Sequence, residues 1–104
     1  MKREVITIGE SLVAFIPNSH MKLRYVDSFT KVVVGAESNV AVGLSKLGHR
    51  SKWISKLGND EFGAFVLREL RAEGVATADV IISDQQPTAI MFKQFSSNEE
   101  SSVF

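Results

Sequence analysis

The chain has 104 residues, 44% of them hydrophobic, with twelve basic side chains against twelve acidic ones and no cysteine. That length and apolar content suffice for one hydrophobic core, and the balanced charge excludes a nucleic-acid-binding arm or a polybasic membrane surface. The missing cysteine removes disulfides, thiolate catalysis and cysteine-type zinc sites.

Lys2, Arg3 and Glu4 are not followed by the apolar core of a signal peptide, and no run reaches membrane-spanning length, so the chain reads as soluble and cytoplasmic. Glu4–Gly9 is a short apolar run stopped by glycine, as a buried strand would be. Leu12–Ile16 is a second β-like run ended by Pro17, and after a polar loop Phe29–Val34 is rich in β-branched residues. The period then changes: Val40, Leu44 and Leu47 lie on one helical face, with Gly48 as the C-terminal stop. Ser51–Ser55 returns to strand character. A second helix follows, capped by Asn59 or Asp60, with Glu61 complementing its positive end. Phe62, Val66 and Leu70 form its apolar stripe, Phe65 broadens it, Arg68 and Arg71 suit its last turns, and Gly74 ends it. Asp79–Ser83 reads as a third buried strand and Thr88–Phe95 as another, before a polar turn and "SSVF".

Strands alternating with helices imply a parallel, doubly wound α/β sheet. Leu12–Ile16, Phe29–Val34 and Thr88–Phe95 fall outside that alternation and are expected to form a separate antiparallel layer. The chain stops at Val103 and Phe104 as a strand begins, which points to a truncated domain.

Few chemical signatures are present. The first strand is followed by "GESLVA", with one glycine where a dinucleotide fingerprint needs three, and no Gly-Lys-Ser/Thr phosphate loop occurs. No serine sits in a nucleophile elbow. His20 and His49 lie far apart without partners at ligand spacing, so both read as solvated and no metal site is expected. The remaining stretch is "VGAESNVAVGLSKLG". Gly35 and Ala36 remove bulk at a strand-to-helix turn, where a ligand could touch backbone. Asn39 carries a donor and an acceptor suited to sugar hydroxyls, although it or Ser38 could equally cap the helix.

That stretch, with "GNDEFG" downstream and "GE" after the first strand, resembles the N-terminal third of the ribokinase-like (PfkB) carbohydrate kinases, most closely the 2-keto-3-deoxygluconate kinases among them. The family spacing of asparagine, a small residue and two glycines is met by Asn39, Ala41, Gly48 and Gly58. The resemblance spans residues 1–104 and implies the N-terminal segment of a single sugar-kinase domain: a doubly wound α/β part over 4–9 and 35–83, with a small β-sheet lid whose strands lie within 12–34 and 88–104. It implies sugar contacts from Gly35, Ala36, Glu37, Ser38, Asn39 and Met91, with Glu10 and Lys93 as weaker candidates. Asp60 is expected to cap its helix rather than bind ligand. Val34 stands where the family has glycine or alanine. Ala14 replaces a sugar-binding aspartate of ribokinases and many fructokinases, as it does in keto-deoxygluconate kinases, which moves the substrate away from ribose. The resemblance further implies ATP and Mg2+ as cofactors of the longer protein, a catalytic aspartate in a downstream Gly-Ala-Gly-Asp motif, and a homodimer through the lid. These 104 residues alone hold neither the base nor the nucleotide site and are expected to be inactive. A fructokinase-type enzyme and a non-catalytic lid module are the other readings.

Overall fold

The computed structural model describes residues 3–95 and 101–103. Strands β1 (Glu4–Ile8), β2 (Leu12–Pro17) and β3 (Phe29–Val34) precede helix α1 (Ala36–Lys46), and β4 (Arg50–Ile54) and β5 (Lys56–Gly58) lead into α2 (Glu61–Ala72). Strands β6 (Ile81–Ser83), β7 (Ile90–Phe95) and β8 (Ser101–Val103) complete the order.

Both helices end by the same local mechanism. Gly48 takes φ +88° and donates to the Ser45 carbonyl at 3.0 Å, while the His49 amide reaches back to Leu44 at 3.0 Å. Gly74 takes φ +82° and donates to Arg71 at 3.0 Å, while Val75 reaches Leu70 at 3.1 Å. A left-handed residue followed by this pair of backward bonds satisfies the last carbonyls of a helix, and glycine enters that conformation without a Cβ penalty.

The α/β part is built from two parallel pairs, β1 with β4 and β5 with β6. Strands β4 and β5 are separated by Ser55 alone, so what the sequence suggests as one three-stranded sheet is two short ladders along one path. Alternation turns Val13, Trp53 and Leu57 toward Ala41 on α1 and Val66 and Leu70 on α2, which together with Val75 form the buried core. The Trp53 indole is fully buried and donates to the Gly9 carbonyl at 3.1 Å, as a buried N–H requires.

The second layer is a four-stranded sheet in the order β3-β2-β7-β8. The expectation of an antiparallel layer holds for β2 with β3 and for β7 with β8, but β7 runs parallel to β2, pairing Val13, Ala14 and Phe15 with Ile90, Met91 and Phe92. The chain between them passes through the whole α/β part, which is ample for a crossover and leaves the direction to tertiary packing. Phe15 joins this sheet to α2 through an edge contact with Phe62 at 5.7 Å and stacks on Phe92 at 4.8 Å.

Two further expectations are corrected. The inner face of α1 is not Val40, Leu44 and Leu47: Val40 is 53% and Leu47 77% exposed, and Ser38 and Ala41 are buried instead. Small residues let the helix axis approach β1 and β4 closely, and that closeness outweighs the larger apolar area on its other side. The strand read as Asp79–Ser83 is only Ile81–Ser83 and is not buried, because β6 is paired on β5 alone and Ile81 and Ile82 remain open among the described residues. His49 is exposed as expected, and exposed His20 also stacks on Phe95 at 4.6 Å.

Candidate functional site

The turn after β1 and the turn before α1 are built against each other. Gly35 occupies the N-cap of α1, and a Cβ there would overlap Ser11 Oγ and stand 2.9 Å from the Glu10 carbonyl. A Cβ on Gly9 would overlap the Glu37 side chain in the same way. Ser11 Oγ donates to Ser38 Oγ at 2.7 Å, and Ser38 Oγ donates to the Gly35 carbonyl at 3.1 Å, with both hydroxyls buried. Four of the residues singled out in the sequence, Glu10, Gly35, Glu37 and Ser38, are therefore brought together. Ser38 neither caps the helix nor faces outward. Its hydroxyl is consumed in holding the turn.

Because Gly35 has no side chain, no group caps α1, and the amides of Ala36, Glu37 and Ser38 find no protein acceptor among the described residues. An uncapped helix start presents unpaired donors at the positive end of the helix dipole. Ala36 is exposed there. Asn39, one position further on, is exposed and makes no side-chain hydrogen bond among the described residues. It lines a recess of about 250 Å³ with Lys31, Val32 and Phe65 between α1, β3 and α2, apart from Glu10.

Glu10 lies on a larger cleft, of about 500 Å³, at the carboxyl ends of β1 and β4. Gly9, Ser11, Lys56 and the segment from Gln86 to Pro87 and Ala89 also line it. In open α/β sheets the crevice at the carboxyl ends of the strands is where ligands bind. Met91 pairs with Ala14 across β2 and β7, and strand alternation sets Met91 and Lys93 on the face opposite Phe92. Ala14 is fully buried between its ladder neighbours Val32 and Met91.

Helix α2 starts differently. Asp60 is its N-cap, and Asp60 Oδ1 accepts from the Gly63 amide at 2.8 Å and from the Thr88 hydroxyl at 2.8 Å. Asp60 Oδ2 accepts from the Thr88 amide at 2.9 Å. The Thr88 amide is the main cause of a carboxyl held below its ordinary value of 3.8; burial opposes that shift, while the Gly63 amide and Thr88 hydroxyl add to it. The alternative cap, Asn59, instead donates to Asp84 at 2.7 Å. Sequence reasoning missed Ser11 and Thr88. Each meets its partner 27 or 28 positions away, and neither lies in a motif that announces it.

The profile of pfkB family carbohydrate kinases matches residues 2–104. The chain is 48% identical over 94 residues to the 2-dehydro-3-deoxygluconokinase of Bacillus subtilis (strain 168), a match that takes in 89% of this chain and 29% of that enzyme. It is 35% identical over 97 residues to Fructokinase-2 of Oryza sativa subsp. japonica, covering 92% of this chain and 29% of that protein. Among solved structures, the sugar kinase PH1459 of Pyrococcus horikoshii in complex with ATP superposes with a TM-score of 0.85 and 37% identity, over 96% of this chain and 33% of that one. The chain thus spans about 29% of the length of the curated relatives it matches.

Proposed function

The chain belongs to the pfkB family of carbohydrate kinases, and from that premise we propose that it is the N-terminal, sugar-binding part of an ATP-dependent kinase whose substrate is 2-keto-3-deoxygluconate. The observation that carries this reading is the uncapped start of α1, whose free amides lie beside Gly35 where the turn after β1 closes on it. Sugar hydroxyls take the place of the missing cap there. Asn39, exposed and without a side-chain partner among the described residues, adds a donor and an acceptor from the recess beside α1, and Glu10 an acceptor from the cleft. Met91 covers the sugar from the lid, and Lys93 offers its cation to a sugar acid. Ala14, fully buried between its ladder neighbours, offers no acceptor to a sugar hydroxyl where an aspartate would, which favours a substrate other than ribose. The contribution of these residues to phosphoryl transfer is to hold the acceptor hydroxyl in place, a positioning effect.

ATP and Mg2+ are assigned to the longer protein. Among the described residues no three His, Asp or Glu side chains converge as metal ligands, and the chain has no Gly-Lys-Ser/Thr loop. We further assign the lid sheet as the homodimer contact. We also propose a cytoplasmic location for the kinase; no helix among the described residues is long and apolar enough to cross a membrane.

The test is the catalytic efficiency of the longer protein on 2-keto-3-deoxygluconate, fructose and ribose, beside the 104-residue chain as an inactive control. The keto-deoxy acid is expected to exceed the others by about tenfold or more, one lost hydrogen bond to a charged or buried group. If fructose or ribose leads by that margin, the Ala14 reasoning fails and the fructokinase reading, favoured by the rice relative, replaces it.

A further inference from the structure

We propose that Asp60 and Thr88 form a clasp that sets the position of lid strand β7, and through it Met91 and Lys93, over the sugar; both are positioning residues, and the assignment rests on the sugar-site reading above. A helix cap needs one oxygen accepting from one amide near the helix start, and Asp60 Oδ1 already supplies that to Gly63. The rest of the carboxylate is used elsewhere: Oδ2 takes the Thr88 amide and Oδ1 also takes the Thr88 hydroxyl. Serine, threonine or asparagine would cap α2 equally well. Only a carboxylate brings a second oxygen that accepts, and here that oxygen goes to the lid.

The hydroxyl of buried Thr88 in turn accepts from the Gly58 amide at 2.9 Å, so the end of β5, the start of α2 and the approach to β7 meet at one point. The knot closes only because its neighbours lack side chains. A Cβ on Gly58 would overlap Asp60 Oδ2 and stand 2.8 Å from the Pro87 carbonyl carbon. A Cβ on Gly63 would overlap the Gly58 carbonyl and stand 3.0 Å from Thr88 Oγ1. Two residues past Thr88 the strand begins: the Val13 amide donates to Ala89 at 3.1 Å, and Val13 pairs with Ile90. Met91 is only three positions from the clasp, roughly 10 Å of extended chain, so displacement at Thr88 is carried along β7 to the lid face.

Three substitutions in the full-length kinase separate clasp from cap. Asp60→Ser keeps a capping oxygen but is too short to reach Thr88; Thr88→Val keeps shape and amide but loses the hydroxyl; Thr88→Ser restores the hydroxyl. The first two are expected to raise KM for the sugar about tenfold while KM for ATP stays within about twofold, the size of effect set by losing a charge-assisted hydrogen bond, and Thr88→Ser is expected to behave as the parent. Amide hydrogen exchange is expected to quicken over residues 90–95 and to stay unchanged in β1 and α1. An unchanged sugar KM with lowered thermal stability would overturn the inference and leave Asp60 an ordinary cap, as would sugar and ATP KM rising together. Exchange also decides the clasp if the parent phosphorylates no sugar in the panel. In that case the sugar-kinase reading fails, faster exchange confined to 90–95 upholds the clasp, and unaltered exchange overturns it.

Discussion

Helix α1 begins on Gly35, which offers nothing to its first amides, whereas α2 begins on Asp60, whose carboxylate binds three donors from Gly63 and Thr88. The helices are otherwise alike: 11 and 12 residues long, both packed on the same core, both closed at the C-terminus by a glycine in the left-handed region. The difference lies in what fills the positive end. At α2 the protein's own anion fills it and ties down Thr88 at the approach to β7, so that start is spent on structure. At α1 the surrounding hydroxyls of Ser11 and Ser38 brace the turn from behind and leave the amides open, so that start is free for a ligand. The fold thus carries a closed helix start and an open one, and binding is expected to depend on the open one.

The largest effect should come from filling the open start. Gly35→Ala places a Cβ against Ser11 Oγ and the Glu10 carbonyl, and displacement of the turn is expected to lower kcat/KM for the sugar by about 100-fold, roughly 2.7 kcal/mol. Steady-state kinetics alongside a denaturant titration check it. A loss of stability with full activity per folded molecule would show that the turn does not serve the sugar.

At the closed start, Asp60→Ala removes the cap and the contacts to Thr88 together, and should cost about 2 kcal/mol of stability, the upper part of the range for lost N-caps. The midpoint of urea unfolding measures this. A change below about 0.5 kcal/mol, typical of an ordinary surface substitution, would put the two starts on the same footing.

Asn39→Ala sharpens the contrast from the other side. With no protein hydrogen bond to lose among the described residues, its stability should move by less than about 0.5 kcal/mol. Its kcat/KM for the sugar should fall about tenfold, near 1.4 kcal/mol, as for one hydrogen bond. Unchanged kinetics would restrict the sugar to the backbone of the turn and leave Asn39 to the recess it shares with Lys31 and Phe65.

The gentlest test uses acid. The Asp60 carboxyl titrates below 3.8 when folded, so the stabilisation it brings is fully present above that value and fades as the pH falls through it toward the folded-state value. The stability gap between the parent chain and Asp60→Asn is therefore expected to narrow below about pH 4, near the unfolded aspartate value, in acid titrations followed by circular dichroism. The gap between the parent and Asn39→Ala should stay constant across the same range, since no carboxylate is altered. A gap for Asp60→Asn that is flat with pH would mean that the charge contributes nothing to the closed start.

Much of this was legible in the residues themselves. Gly48 and Gly74 as helix stops, Asp60 as a cap, the β-branched strands and the asparagine-and-glycine spacing of the family all show in short stretches, because each rests on a preference of a few adjacent residues: a left-handed φ that favours glycine, or an oxygen within reach of an amide three positions on. Periodicity misled where packing chose closeness over area. The Val40–Leu47 face of α1 is the more apolar, yet Ser38 and Ala41 are buried because their small size lets the helix lie near β1 and β4.

Thr88 reads as the first residue of a strand and proves to be the partner of Asp60, and Ser11 reads as loop and proves to brace Ser38. The sequence alone determined where the chain bends and which residues can end or begin an element, since those are local conformational choices. Only the tertiary structure decided the parallel run of β7 against β2, the burial of α1 by its small side, and which helix start is closed. Those outcomes depend on groups 27 and 28 positions apart meeting at hydrogen-bond distance, and such meetings are set by how the layers pack and not by the pattern along any one stretch.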